Sequence, residues 1–211
     1  MAENLNLKTQ NSPLSFIFIG RSGCGKGTQV KLLEKYIEEN DPLKRPIFYL
    51  ETGERFRSFI SRDSYASSLS REINKQGELQ PEFLAVYMWA EELINKLTPD
   101  EHLIIDGSPR RLREAMALDT AMSFFKRQNV AIINLNVSPE WSRERLNGRG
   151  RADDVNKGDI EKRLAWFDSE VKPVIEWFRG EDSYKVFDIN GEQTIEQVHE
   201  EIIKAVFNGH D

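Results

Sequence analysis

Cysteine is almost missing from this chain: Cys24 is the one thiol in 211 residues. It can form no internal disulfide, a usage that fits a reducing compartment, and it leaves no zinc-type cysteine cluster to be built. Long apolar runs are missing too; none approaches the roughly 18 residues that cross a bilayer, so membrane insertion is not expected. Nor is there an excess of positive charge. The formal net charge of −6 excludes the basic footprint of a general nucleic-acid binder. The stretch 1–13 is polar, has no apolar signal core, and reads as a flexible leader on a cytoplasmic protein. Internal repeats and low-complexity tracts are absent, and so is the Asn-Lys-x-Asp motif of switch GTPases. What is present is ordinary in bulk: 39% hydrophobic and 30% charged residues, enough for one buried core over 14–211 with small mobile insertions.

The chain is organised around Ile17-Phe18-Ile19-Gly20-Arg21-Ser22-Gly23-Cys24-Gly25-Lys26-Gly27-Thr28-Gln29. The apolar run Phe16 to Ile19 predicts a buried strand, which breaks into a glycine-rich turn and opens on an amphipathic segment, Thr28 to Glu39. Strand, glycine turn and helix in that order make a P-loop. Its backbone wraps an anionic group, successive N–H groups and the positive helix end converge on that group, and Lys26 adds a point charge for the outer phosphates. A nucleoside triphosphate is expected there, against Gly23, Cys24, Gly25, Lys26, Gly27 and Thr28. Gly27 stands where a P-loop usually carries the Ser or Thr that holds magnesium. Mg²⁺ is therefore expected to have no direct protein ligand and to rest on phosphate oxygens and waters, with acidic side chains fixing the waters. Cys24 is either a thiol of lowered pKa whose oxidation would block the loop, or a small tolerated side chain.

Strand and helix patterns then alternate, which implies a parallel sheet covered on both faces, a three-layer α/β fold. Ile47 to Leu50 is a second strand, ending at Thr52-Gly53, which can cap a helix carrying Arg57 near its first turn. A polar helical flap over 58–80 closes at Gly77 to Pro81. A helix from Glu82 to Leu97 follows, with Phe83, Val86, Tyr87, Ala90, Leu93 and Ile94 at helical spacing and Met88 and Trp89 as packing residues. The strand His102 to Ile105 delivers Asp106 at its carboxyl end, where ligands of open α/β sheets bind, so Asp106 is placed to orient magnesium-bound water; His102 reads as structural. A helix over Glu114 to Gln128, a strand over Val130 to Val137 and a helix over 139–147 come next. Arg143, Arg145, Arg149 and Arg151, crowded into an acidic chain, point to a small polyanion. A helix over 159–178 carries Arg163, with Trp166, Phe167, Trp177 and Phe178 as core; a strand over Lys185 to Ile189 and a helix over Thr194 to Phe207 complete the chain.

From about Phe16 to Phe207, four separated motifs resemble the adenylate kinase family of nucleoside monophosphate kinases. They are Gly25-Lys26-Gly27-Thr28-Gln29; Thr52-Gly53 with Arg57; Asp106-Gly107-Ser108-Pro109-Arg110; and the arginines from Arg145 to Arg163. The resemblance implies a monophosphate-binding arm over 52–81, a short lid over 148–158, and a monomer. It implies transfer of the γ-phosphoryl group of Mg-ATP to a nucleoside monophosphate, with AMP favoured, giving two diphosphates. By the same resemblance Lys26, Arg110, Arg149, Arg151 and Arg163 are catalytic, and Arg145 and Arg149 hold the donor. The acceptor falls to Thr52, Gly53, Arg57, Gln80, Gly107, Arg110, Glu114, Arg151 and Arg163. Asp153 and Asp154 would anchor these arginines or magnesium-bound waters, or cap the next helix.

Four residues depart from the family pattern: Glu51, Glu54, Ser108 in place of an aromatic residue, and Glu114 in place of Gln. An ionised Glu114 can only accept hydrogen bonds, which suits the two adjacent donors of guanine better than the donor–acceptor edge of adenine; alternatively it pairs with Arg110 at i,i+4. These departures leave open a kinase for GMP, another monophosphate or a small metabolite, and a nucleotide-sensing protein that does not turn over.

Overall fold

The computed structural model describes residues 12–149 and 157–208. Its five strands, β1 (Ser15–Gly20), β2 (Ile47–Glu51), β3 (His102–Asp106), β4 (Val130–Asn136) and β5 (Tyr184–Asn190), pair in parallel in the order β2-β3-β1-β4-β5. The helices are α1 (Lys26–Asn40), α2 (Thr52–Ile60), α3 (Tyr65–Lys75), α4 (Glu82–Lys96), α5 (Leu112–Phe124), α6 (Pro139–Arg149), α7 (Lys157–Trp166), α8 (Lys172–Gly180) and α9 (Ile195–Ile203). The expected three-layer α/β fold is present. Because side chains alternate along a strand, β1 sends Phe16 and Phe18 to one face and Ile17 and Ile19 to the other. The first pair packs with Val30, Leu33 and Ile37 of α1 and Val198 and Ile202 of α9. The second meets Leu93 of α4, Leu118 and Met122 of α5 and Val174 and Phe178 of α8. Phe16 and Phe18 are fully buried, and truncating either to alanine would cost about 3–5 kcal/mol.

The register decides where chemistry can sit. Asp106 pairs with Phe18 of β1 and with Glu51 of β2, so three strands end along one edge of the sheet. From β1 the chain crosses towards β2, while from β3 it crosses over β1 to β4. The carboxyl ends of these adjacent strands therefore part, which leaves a crevice where open α/β sheets bind ligands.

Several local expectations change. The helix expected over 159–178 is two helices joined by a π-helical segment, Phe167–Val171. Pro173 has no N–H to return to residue 169, so the α-helical ladder fails there and a wider turn takes over. Thr52 is the first residue of α2 and makes no cap; Arg57 lies in the last turn of α2, not the first. α5 starts at Leu112 and stops at Phe124, short of the expected Gln128. On α4 the buried residues are Leu84, Ala85, Met88, Trp89, Glu92 and Leu93, whereas Phe83, Tyr87 and Ile94 are exposed. The helix is apolar nearly all round, so the neighbours it meets, and not its own period, choose the face. Met88 and Trp89 do pack inside. His102 is buried in the frame: its Nδ1 accepts from the Leu14 N–H at 3.0 Å and its Nε2 meets Asp41 Oδ2 at 3.2 Å. Among the described residues no helix is long and apolar enough to cross a membrane.

Candidate active site

The P-loop turns tightly because of two glycines in particular. Gly20 has φ 153°, and a Cβ on it would lie 2.7 Å from both Cys24 Sγ and the Leu135 carbonyl oxygen. Gly25, at φ 99°, is the left-handed residue from which α1 starts. No side chain caps α1, which leaves the N–H groups of its first turn for an anion. Lys26 Nζ donates to the Gly20 carbonyl at 2.9 Å and the Arg21 carbonyl at 3.2 Å. Cys24 is 6% exposed and packs into the core beneath the loop. Its side chain is not part of the cleft lining, and Lys26 Nζ lies 3.6 Å from its Sγ.

Arg21, which sequence reasoning passed over, fastens this loop to the far end of the chain. Its guanidinium grips Asp168 with two hydrogen bonds, at 2.8 and 2.9 Å, donates to the carbonyls of Val137 and Leu164, and lies 4.4 Å from the centre of the Phe167 ring. Those bonds, together with the Lys172 ammonium 2.6 Å from Oδ1, hold the Asp168 pKa down to about 2. An arginine directly after the first P-loop glycine was the available signal; its partner 147 residues on was not readable.

The cleft that opens beside the P-loop has a volume of about 1610 Å³, beyond the roughly 300–1,000 Å³ of a pocket for one drug-sized ligand. Gly23, Gly25, Lys26, Gly27 and Thr28 form one wall, and Thr52, Gly53, Arg57 and Gln80 form another. Asp106, Gly107, Arg110 and Glu114 make the floor between them, with Arg145 and Arg163 on the remaining side. Arg149 is described only in its backbone, and Arg151, Asp153 and Asp154 lie outside the described residues, as does most of the expected lid.

Asp106 is 6% exposed. Burial pushes its carboxyl upward and the nearby Glu51 adds to that, while Lys26, Arg110 and a 3.4 Å hydrogen bond from the Tyr49 hydroxyl oppose it. A Cβ on Gly27 would stand 3.9 Å from Asp106 Oδ2, so the carboxylate lies beside the loop where its chemistry suits the water shell of magnesium. Arg110 donates from Nε to the Gly107 carbonyl at 2.7 Å and stacks 5.5 Å from the Trp166 ring centre. Burial lowers its guanidinium pKa; Glu114 and Asp106 act against that, and Arg163 and Arg57 add to it as like charges. Three cations thus converge on one region, an arrangement that an anion relieves.

Glu114, 2% exposed, does not meet the Arg110 guanidinium as an i,i+4 partner would. Its Oε2 accepts from the backbone N–H of Arg110 at 2.8 Å, because Arg110 precedes α5 and Glu114 sits in its first turn. Burial raises the pKa of this carboxyl group, and the Arg110 N–H, the nearby Ser108 hydroxyl and the nearby Arg111 N–H act against that. Around them, Arg57 pairs with Glu51 at 2.6 Å. The Gln80 side chain is tied to Ser70, and its carbonyl accepts from Arg111. Arg145 lies 4.8 Å from the Trp141 ring centre on the cleft side, whereas Arg143 turns out to Glu161. Trp166, expected only in the core, lines the cleft and donates from Nε1 to the Gly77 carbonyl at 3.3 Å.

A sequence model of the adenylate kinase family matches residues 18–183. The chain belongs to the adenylate kinase family. It is 31% identical to the adenylate kinase of Bacteroides fragilis over 198 residues, covering 92% of this chain and 98% of that protein. It is 30% identical to the adenylate kinase of Flavobacterium johnsoniae over 200 residues (92% and 99%), and 26% identical to that of Flavobacterium psychrophilum over 199 (92% and 99%). As a member of the adenylate kinase family the chain is a phosphotransferase, and the family supports a nucleoside monophosphate kinase.

Proposed function

We propose that this enzyme transfers the γ-phosphoryl group of Mg-ATP to a nucleoside monophosphate and releases two diphosphates. The observation that carries the reading is the pairing, in one cleft, of a P-loop with a cluster formed by Arg57, Arg110 and Arg163. The P-loop N–H groups and Lys26 would hold the donor phosphates, and the three arginines the acceptor phosphate. The acceptor brings its own anionic oxygen as nucleophile, so no side chain has to form a covalent bond. The work of the protein is alignment, charge stabilisation and exclusion of water. When bound with ATP, magnesium supplies further neutralisation of the phosphate oxygens, and Asp106 is the described residue that would hold its waters. We assign α2 and α3, within 52–81, to an arm over the acceptor, and 148–158 to a short lid.

The name its relatives carry makes AMP the first acceptor to try; the chemistry of an ionised Glu114 opposes adenine. A cytoplasmic monomer remains the working form. Lys26→Met and Arg110→Ala should each lower transfer by about 10²–10³ while leaving the circular dichroism spectrum unchanged. Normal turnover in either folded variant would sink the assignment.

A further inference from the structure

Glu114 holds an orphan. Its Oε2 is engaged by the Arg110 N–H, but its Oε1 is buried and has no hydrogen-bond partner among the described residues. Glu114 is 2% exposed and forms part of the cleft floor. A buried polar atom left unpaired costs free energy, so an oxygen kept in this state marks a place where a ligand donor completes the bond. Thr52 Oγ1, which also lines the cleft, is likewise buried with no partner among the described residues. A hydroxyl both donates and accepts, so Thr52 does not choose between bases; a carboxylate oxygen does.

The base edges differ in what they offer such an oxygen. Adenine and cytosine each present one amine donor next to a ring-nitrogen lone pair, and the lone pair would face the carboxylate without a proton between them. Uracil presents one N–H between two carbonyl oxygens. Guanine alone presents two adjacent donors, N1–H and the exocyclic amine, and no opposing lone pair. Burial raises the Glu114 pKa, while the Arg110 N–H bonded to Oε2, the nearby Ser108 hydroxyl and Arg111 N–H, and the Arg110 charge act against that and favour its acceptor form. The Gln found at this position in the family could turn an N–H towards adenine; Glu114 has none to turn.

We infer that the acceptor site reads a guanine base through Glu114 Oε1, so that GMP is a better phosphoryl acceptor than AMP for this enzyme. The inference rests on the monophosphate-kinase reading and narrows its substrate. Replacing guanine by hypoxanthine removes the amine but keeps N1–H, which gives a graded series that needs no mutation.

The test is initial-rate transfer from Mg-ATP to GMP, IMP and AMP by the purified full-length enzyme, repeated with Glu114→Gln. The wild type should follow the order GMP, IMP, AMP. Its kcat/KM for GMP should exceed that for AMP by at least about tenfold, the difference lying mostly in KM, as expected where a site built for a donor meets a base that lacks it. Glu114→Gln should reverse the preference towards AMP. If that variant does not fold, the wild-type order decides alone. AMP preferred by the wild type would overturn the guanine assignment and leave the kinase intact, whereas no transfer to any monophosphate would overturn the kinase reading and the base assignment with it.

Discussion

Asp106 carries two demands that conflict. It must be charged to orient water beside the phosphates, yet it is buried, and burial raises its pKa above the ordinary 3.8. An acid whose folded-state pKa is raised binds protons more readily when folded, so its contribution to stability falls as pH rises from 3.8 through the folded value. At neutral pH the charge is therefore held at the expense of stability. Asp106→Asn should raise Tm while lowering kcat by at least about tenfold, as read by thermal unfolding and a coupled transfer assay. A variant that melts lower and turns over normally would make Asp106 a structural residue. Asp106 was legible because a short apolar strand ends on it. That one oxygen of Glu114 is engaged and the other unpaired was not, because the distinction depends on the Arg110 backbone, folded back at 2.8 Å.

At the level of elements, α7 does more than fill space. Lys162 Nζ reaches the Gln76 carbonyl at 2.7 Å and Trp166 reaches the Gly77 carbonyl, so the end of α3 is fastened to the helix that also carries Arg163. Trp166 in addition supplies the ring on which Arg110 stacks. Trp166→Phe should keep the platform and change KM for the monophosphate by less than about threefold, whereas Trp166→Ala should raise it by about tenfold with a smaller change in kcat. Equal effects of the two substitutions would assign the role to the N–H and not to the ring. Sequence reasoning put Trp166 wholly in the core because aromatic residues on a long helix usually pack there. The break at Phe167–Val171, next to Pro173, changes the helical phase after Trp166, so its phase relation to Phe178 cannot be extrapolated along a regular helix.

Across the whole molecule, buried histidines contribute to the response to acid. His102 lies buried between β1 and Asp41, and burial holds its pKa below the ordinary 6.5 despite the carboxylate beside it. A histidine whose folded pKa is depressed contributes stability that is complete above 6.5 and is lost as pH falls from there through the folded value, because the unfolded chain takes up the proton first. His199, also lowered by burial, acts with the same sign. Unfolding free energy from urea titrations should therefore carry a component that falls between about pH 7 and pH 5, with the buried acids Asp106 and Glu114 acting in the opposite sense. His102→Gln should lose the His102 part of that fall. An unchanged slope in the variant would remove His102 from the account.

The sequence by itself determined the P-loop, the order of strands and helices, and the residue types gathered at the ends of β1, β2 and β3, because each of these follows from neighbours a few positions apart. Glycine spacing, apolar runs and the Asp106 to Arg110 segment are local facts that survive without knowledge of the fold. The tertiary structure alone decided which face of α4 is buried, that Arg21 finds Asp168, that Cys24 turns into the core, and that Glu114 keeps one oxygen unpaired. These are contacts between segments far apart in the chain or choices among several apolar faces, and their energies are set by what the folded neighbours offer.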